Sequence, residues 1–228
     1  MRTCLVLVFL MPGVGCGGSS ARTDAAAGPD DATAASSFSF FITSAGNPSG
    51  GDFRRTPADT DGLAGADEFC RAEAAAAVPA SADRQWRAYL STDAVNAKDR
   101  IGAGPWFNHA GVMIAASVAA LHDPAQNKID KTTGLTASGA TVPGRGDTPN
   151  QHDILTGSTA AGISNGNHCA SWTSSAASGA TAQLGHFDRM GGGTDPTSWN
   201  SAHASQGCAE ASFPPTGGRG SLYCFAAD

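Results

Sequence analysis

Residues 63–77 read LAGADEFCRAEAAAA, and no other stretch of the sequence favours a long helix so strongly. Alanine is the strongest helix former, and a proline follows soon after the stretch ends. Acidic Asp67 and Glu68 lie early in it, as is usual near the start of a helix. Phe69 and Cys70 are expected to point inward. The sequence therefore predicts one main helix that carries a cysteine into the core.

Short strands are predicted on both sides of this helix. Residues 38–43 (FSFFIT) form an aromatic and β-branched run, and residues 85–91 (QWRAYLS) alternate as a strand does. In residues 221–226, Leu222 and Cys224 would face one way and their neighbours the other. Further strands are expected at 128–132, 154–157 and 170–173, and residues 111–121 fit either a strand or a helix. The first and last strands are expected to pair under the helix, which is an α+β arrangement.

The beginning of the chain has the order of an export signal. Arg2 supplies a positive charge, residues 5–11 are an apolar run too short to span a bilayer, and small residues precede Cys16. This order resembles the signal peptide and lipobox of bacterial lipoproteins, in which the cysteine is lipidated and becomes the mature N-terminus. Ordinary signal cleavage is the alternative.

Three segments follow from this interpretation. Residues 1–15 are the predicted lipoprotein signal peptide, residues 16–37 a lipidated, disordered tether of small, polar and acidic residues, and residues 38–228 the folded domain. The predicted location is the cell envelope, at the outer membrane or cell surface, with membrane contact only through the lipid. A net charge of −6 argues against nucleic acid as a partner.

Four cysteines remain in the predicted domain once the signal peptide and Cys16 are set aside. They are Cys70, Cys169, Cys208 and Cys224. An even number of cysteines in an exported chain implies disulfides. Four cysteines allow three pairings, and their spacing alone does not choose among them.

A series of short motifs occurs in an order that resembles a known fold. The motifs are ADEFC at 66–70, WRAYLS at 86–91, ILTGS at 154–158, HCASW at 168–172, GC at 207–208 and LYCF at 222–225. Together they resemble the endostatin domain of collagens, the wider C-type-lectin-like fold, and lectin-like lipoproteins of unknown function from spirochaetes and myxobacteria. The resemblance covers about residues 60–228. It implies short twisted antiparallel strands, one main helix, long loops and two nested disulfides, Cys70 with Cys224 and Cys169 with Cys208.

The resemblance does not extend to a calcium or zinc site. Calcium-dependent sugar-binding members carry a carboxylate after a Trp-Asn pair, whereas Trp199-Asn200 is followed here by Ser201. The zinc ligands of endostatin come from a histidine-rich N-terminus that this chain lacks. The histidines have no metal-ligand spacing and are interpreted as scattered surface residues: His152, His168, His186 and His203. No metal and no other cofactor is predicted.

The predicted function is recognition of a glycan or an extracellular protein, without catalysis. Residues 136–151 and 185–205 are long polar loops, where binding residues concentrate on a rigid scaffold. Candidate binding residues in the second loop are Asp188, Asp195, Trp199, Asn200 and His203. Among the tryptophans, Trp106 and Trp199 are the better candidates for exposed stacking surfaces. The first loop contains Arg145-Gly146-Asp147, which resembles an integrin-recognition tripeptide and is also an ordinary turn.

Two other classes of function remain as alternatives. Residues 162–166 (GISNG) match the G-x-S-x-G motif of serine hydrolases, with Ser164 as nucleophile and Asp188 or Asp195 and then His203 in hydrolase order. That motif requires a strand before it and a helix after it. A purely structural envelope or matrix component is the other alternative, and the sequence does not separate it from recognition.

Overall fold

The computed structural model describes residues 37–228, so the predicted signal peptide, Cys16 and the tether up to residue 36 lie outside the described residues. The strands are β1 (Phe40–Ile42), β2 (Trp86–Ala88), β3 (Trp106–Phe107), β4 (Met113–Ala115), β5 (Asp153–Leu155), β6 (Gln183–His186), β7 (His203–Ala204) and β8 (Gly218–Ala226). Helix α1 spans Leu63–Ala77 and helix α2 spans Val118–Leu121. Neither of these helices has the length and hydropathy needed to span a bilayer.

Strand β8 is the centre of the main sheet. Strand β1 pairs antiparallel with residues 223–225 of β8, and β2 pairs antiparallel with residues 224–226. Strand β5 pairs with the first part of β8 in parallel, β6 joins β5, and β7 forms the far edge. The predicted pairing of the first and last strands is confirmed.

The alternation along β8 divides the apolar core in two. Leu222 and Cys224 belong to a cluster that also contains the buried face of α1. Tyr223 and Phe225 belong to a second cluster on the other side of the sheet. The predicted alternation of this strand is therefore confirmed, and the sheet forms a layer between two sets of packed side chains.

Two disulfides fix this arrangement. Cys70 of α1 is bonded to Cys224 of β8, and Cys169 is bonded to Cys208. All four cysteines are fully buried. The mixed α+β class and both expected pairings are confirmed, and disulfides are typical of proteins that fold in an oxidising compartment outside the cytoplasm.

Helix α1 has the predicted bounds, but its acidic residues act differently from the prediction. The N–H of Leu63 donates to Asp61 Oδ1 at the helix start. Asp67 instead reaches across to β2, where it accepts from the Ala88 N–H and forms an ion pair with Arg100 at 2.8 Å. Burial raises the pKa of the Asp67 carboxyl despite the opposing Arg100 charge. Asp67 therefore joins the helix to the sheet rather than complementing the helix dipole.

Two of the predicted strands are wrong. Residues 128–132 form no strand, and a turn begins at Asp130, whose Oδ1 accepts from the backbone N–H groups of Thr132 and Thr133. Residues 170–173 belong largely to a left-handed turn over Cys169–Trp172, in which all four residues have φ between 49° and 62°. The apolar run 111–121 contains both structures left open, strand β4 followed by helix α2.

The left-handed turn predicts a stabilising substitution. Ala170 is exposed and has φ 54°, a region that costs an L-residue roughly 1–2 kcal/mol. Ala170→Gly removes this cost, but glycine loses more backbone entropy on folding, which offsets part of the gain. We therefore expect the free energy of unfolding to rise by about 0.5–1 kcal/mol. Urea denaturation measures the change. The control Ala72→Gly, at an exposed position inside α1, should lower stability by about 1 kcal/mol. Equal losses in both variants would contradict the left-handed turn.

Candidate functional site

The sheet brings three distant segments together at one end. Asp153 of β5 pairs with His186 of β6, and Leu184 of β6 pairs with His203 of β7. His152 lies directly before Asp153 and stacks on His186, with ring centroids 4.2 Å apart. Three imidazoles therefore surround one carboxylate, although they come from positions far apart in the sequence.

The imidazole Nε2 atoms converge on a single oxygen of Asp153. The distances from Asp153 Oδ1 are 3.2 Å to His152 Nε2, 3.2 Å to His186 Nε2 and 3.5 Å to His203 Nε2. The side chains of His152, Asp153 and His186 are at most 2% exposed, while that of His203 is 19% exposed. His203 thus closes the cluster on the side nearest to solvent.

Hydrogen bonds on the far side of each ring fix which nitrogen faces the cluster. The Nδ1 partners of His152, His186 and His203 are Asp188 Oδ1 at 3.1 Å, Pro196 O at 2.9 Å and Ala204 O at 3.0 Å, respectively. A carbonyl or carboxylate oxygen only accepts, so each Nδ1 carries a hydrogen and donates it. Each Nε2 therefore turns either a lone pair or a second proton toward Asp153.

The Asp153 carboxylate lacks the partners that a buried charge normally has. Neither of its oxygens, nor His186 Nε2, has a hydrogen-bond partner within the described residues. Burial opposes ionisation of Asp153, yet contacts from His186, His203 and Thr216 outweigh it and lower its pKa to about 2. Asp153 in turn raises the pKa of His203. The Nε2 atoms lie near the carboxylate without hydrogen-bond geometry. The attraction between imidazoles and carboxylate is therefore electrostatic and depends on their short separation.

A glycine allows the rings to pack this closely. Gly191 has φ +141°, and a Cβ built on it would lie 2.6 Å from His186 Cε1 and 3.0 Å from His152 Cε1. Any larger residue would collide with both rings. The glycine-rich segment after β6 therefore covers the cluster with backbone alone.

The two loops predicted to bind ligand meet above this cluster. Between them lies an open depression of about 310 Å³, lined by Arg145, His152, His186, Gly192, Gly193, His203 and Thr216. Asp188 joins the loops, because its Oδ1 accepts from His152 Nδ1 and its Oδ2 accepts from the Arg145 N–H at 2.6 Å. Burial opposes ionisation of Asp188. The hydrogen bond to His152 outweighs burial, with a smaller contribution from the Arg145 N–H, and the pKa of Asp188 is lowered.

The structure places the predicted binding residues in different environments. Asp188 and His203 belong to the cluster, and Asp195 is exposed on the adjoining segment. Trp199 is only 4% exposed and Asn200 only 1%. The Asn200 amide donates to Tyr89 Oη and to backbone carbonyls of the neighbouring loop. These two residues thus hold the loop against the core.

The interpretation of Trp106 and Trp199 as exposed stacking surfaces is wrong. Trp106 is fully buried and its Nε1–H donates to the carbonyl of Ala226 at 3.0 Å. Trp199 packs against Tyr89 and Tyr223, with ring centroids 4.8 and 5.2 Å away. Flanking Gly, Pro, Ser and Thr residues suggested exposed loops, but both indoles fill the second core cluster.

Ser164 lies in a loop, without the strand and helix that flank a hydrolase nucleophile. The N–H of Ser164 donates to Asn96 Oδ1, and the next ordered feature is the left-handed turn at Cys169–Trp172. His203, the proposed base, instead faces Asp153. The described residues therefore do not form the strand–turn–helix context that the motif requires.

Comparison with known protein families and with curated proteins finds no match to this chain. The geometry described above is thus the basis for any functional conclusion.

The histidine cluster is the part of the site that the sequence prediction missed. The surface interpretation is wrong for His152, His168 and His186, which are 1–2% exposed. His168 lies apart from the cluster, where its Nε2 bonds to Asp93. The sequence contained one useful signal, a histidine followed closely by an aspartate at a strand end, in His152-Asp153 and again in His186-Phe187-Asp188. Only the sheet register brings these two segments together.

Proposed function

We propose that this chain is an exported recognition domain of C-type-lectin-like architecture, anchored by lipid at Cys16, that binds a glycan or an extracellular protein. The observation that carries the proposal is the open depression between the two long loops, joined beneath by Asp188. A polar surface supported by a disulfide-linked scaffold is typical of binding loops.

The exposed residues of this face have the chemistry of a recognition surface. Residues 145–149 are all exposed, and Lys131 forms an ion pair with Asp147 at 2.7 Å that supports their loop. Met190, whose N–H donates to Asp188 Oδ1, is 51% exposed, and a methionine adapts readily to a partner surface. Cationic, anionic and apolar groups therefore occur side by side, which favours a polar ligand with some apolar surface.

The test is binding of the purified exported protein to a glycan array and a panel of extracellular matrix proteins. We expect Arg145→Ala to weaken binding at least tenfold, because the exposed guanidinium is lost while the backbone bond to Asp188 remains. Arg71→Ala is the matched control, since Arg71 is an exposed arginine on α1, and it should bind normally. Equal affinity of both variants would move the binding surface away from this face.

Two results would favour the alternatives. Absence of any ligand on both panels, together with tight association with other surface proteins, would support a structural envelope component. Labelling of Ser164 in the folded protein by a fluorophosphonate would support a hydrolase. Labelling of Ser164 is not expected, because the loop around it lacks the flanking elements of the hydrolase motif.

A further inference from the structure

We propose that His152, Asp153, His186 and His203 form a zinc-binding site. The inference goes beyond ligand recognition, because the site would exist whether or not the loops bind a partner. Its starting point is the Asp153 side chain, which is completely buried and has no hydrogen-bond partner for either oxygen among the described residues. A buried carboxylate in that state is expensive unless a cation lies against it.

The imidazoles around Asp153 are hydrogen-bonded as metal ligands are. In each ring, Nδ1 donates to an oxygen outside the cluster, which directs Nε2 inward. Metal-ligating histidines almost always donate their other ring N–H to a carboxylate or a backbone carbonyl. The three rings here use one carboxylate, Asp188, and two carbonyls. This outer layer is present for all three rings.

The distances from Asp153 Oδ1 to the three inward nitrogens match those between ligands of one zinc ion. Zinc bonds to histidine nitrogen and carboxylate oxygen are about 2.0–2.2 Å long, so neighbouring ligands of a tetrahedral ion are about 3.3 Å apart. The observed separations from Asp153 Oδ1 are 3.2, 3.2 and 3.5 Å. The ligand atoms of His152, Asp153 and His186 all lie within 4.8 Å of one another and form the tight part of the group. His203 lies outside this tight part and approaches it through Asp153 Oδ1, 3.5 Å from its Nε2.

The ligand types select zinc over the hard cations. Calcium and magnesium prefer sets made entirely of oxygen, whereas zinc accepts imidazole and carboxylate together. The charges also balance, since Asp153 in the cluster and Asp188 behind His152 supply two negative charges for one divalent ion. Four protein ligands leave no open position, which is characteristic of structural rather than catalytic zinc.

The consequence is a clamp at the edge of the sheet. The ligands belong to or directly precede β5, β6 and β7, and Asp188 extends the connection to Arg145 in the exposed loop. Bound zinc would thus hold both loops of the depression in one conformation. Its removal should loosen residues 144–151 and 187–204 while the disulfide-linked part around α1 stays folded.

The test uses the untagged exported protein, treated with a chelator and then titrated with Zn²⁺. We expect one zinc per chain by elemental mass spectrometry, a higher melting temperature with zinc, and visible d–d bands when Co²⁺ replaces Zn²⁺. His203→Ala should weaken zinc binding at least tenfold, and Asp188→Asn about 10–100-fold through the lost support of His152. His203 is partly exposed, so its variant should still fold.

His109→Gln is the control, because His109 bonds to the carbonyl of Ala137 outside the cluster and should leave zinc affinity unchanged. Less than one zinc per chain at saturation, or wild-type affinity in both His203→Ala and Asp188→Asn, would overturn the site. Zinc binding without any ligand on the array would support the zinc site and contradict the proposed recognition. Failure of the zinc site and failure of the recognition function are therefore distinguishable.

Discussion

Replacing Cys70 and Cys224 together by alanine is expected to lower the free energy of unfolding by about 4–5 kcal/mol. The disulfide links residues 154 positions apart, so its loss frees a very long loop in the unfolded chain. For a domain of this size the melting temperature should fall by about 10–15 °C. Urea denaturation under non-reducing conditions measures the loss.

The second disulfide provides an internal comparison for this prediction. Cys169 and Cys208 are 39 positions apart, so the double alanine variant should lose about 1 kcal/mol less than the first variant does. An unchanged midpoint in either variant would mean that the corresponding bond does not constrain the exported protein. A reversed order would indicate that local strain, rather than loop length, decides the contribution.

Trp106→Ala is expected to cost about 3–5 kcal/mol, as is usual for removing a buried tryptophan. The ring packs edge-on against Phe225, and its N–H satisfies the buried carbonyl of Ala226. Trp106→Phe keeps much of the volume but leaves that carbonyl unpaired, so it should cost about 1–3 kcal/mol. Thermal and urea unfolding measure both losses.

Val112→Ala is the control for this series, because Val112 is 44% exposed and its truncation should change stability by less than about 0.5 kcal/mol. If Trp106→Ala were as mild as this control, the indole would lie outside the core. The exposed stacking role that its Gly-Pro context suggests would then become reasonable again.

The elements that the sequence predicted correctly depend on local patterns. The alanine-rich stretch at 63–77 and the alternation around Cys224 determine a helix and a strand without reference to distant residues. The left-handed turn at 169–172 could not be predicted in this way. Its backbone is held by a disulfide to Cys208 and by a bond from the Trp172 indole to Ser91, and both partners are far away in sequence.

The candidate site shows the same limit more sharply. The sequence pointed to the two polar loops, yet the buried cluster beneath them depends on the order β5–β6–β7 and on one register. A shift of one residue would turn every side chain of a strand to the other face. Asp153 and His186 would then no longer meet. Spacing rules for metal sites describe ligands on one helix or hairpin, so they do not detect ligands collected by a sheet.

The position of β8 bears on when folding can begin. Residues 218–226 are synthesised after every strand with which they pair, and they supply the centre of the sheet and one half of the longer disulfide. Strands β1, β2 and β5 therefore lack their shared partner while the chain is still growing. Completion of the main sheet is delayed until the polypeptide through residue 226 is available, so this sheet forms after synthesis rather than during it.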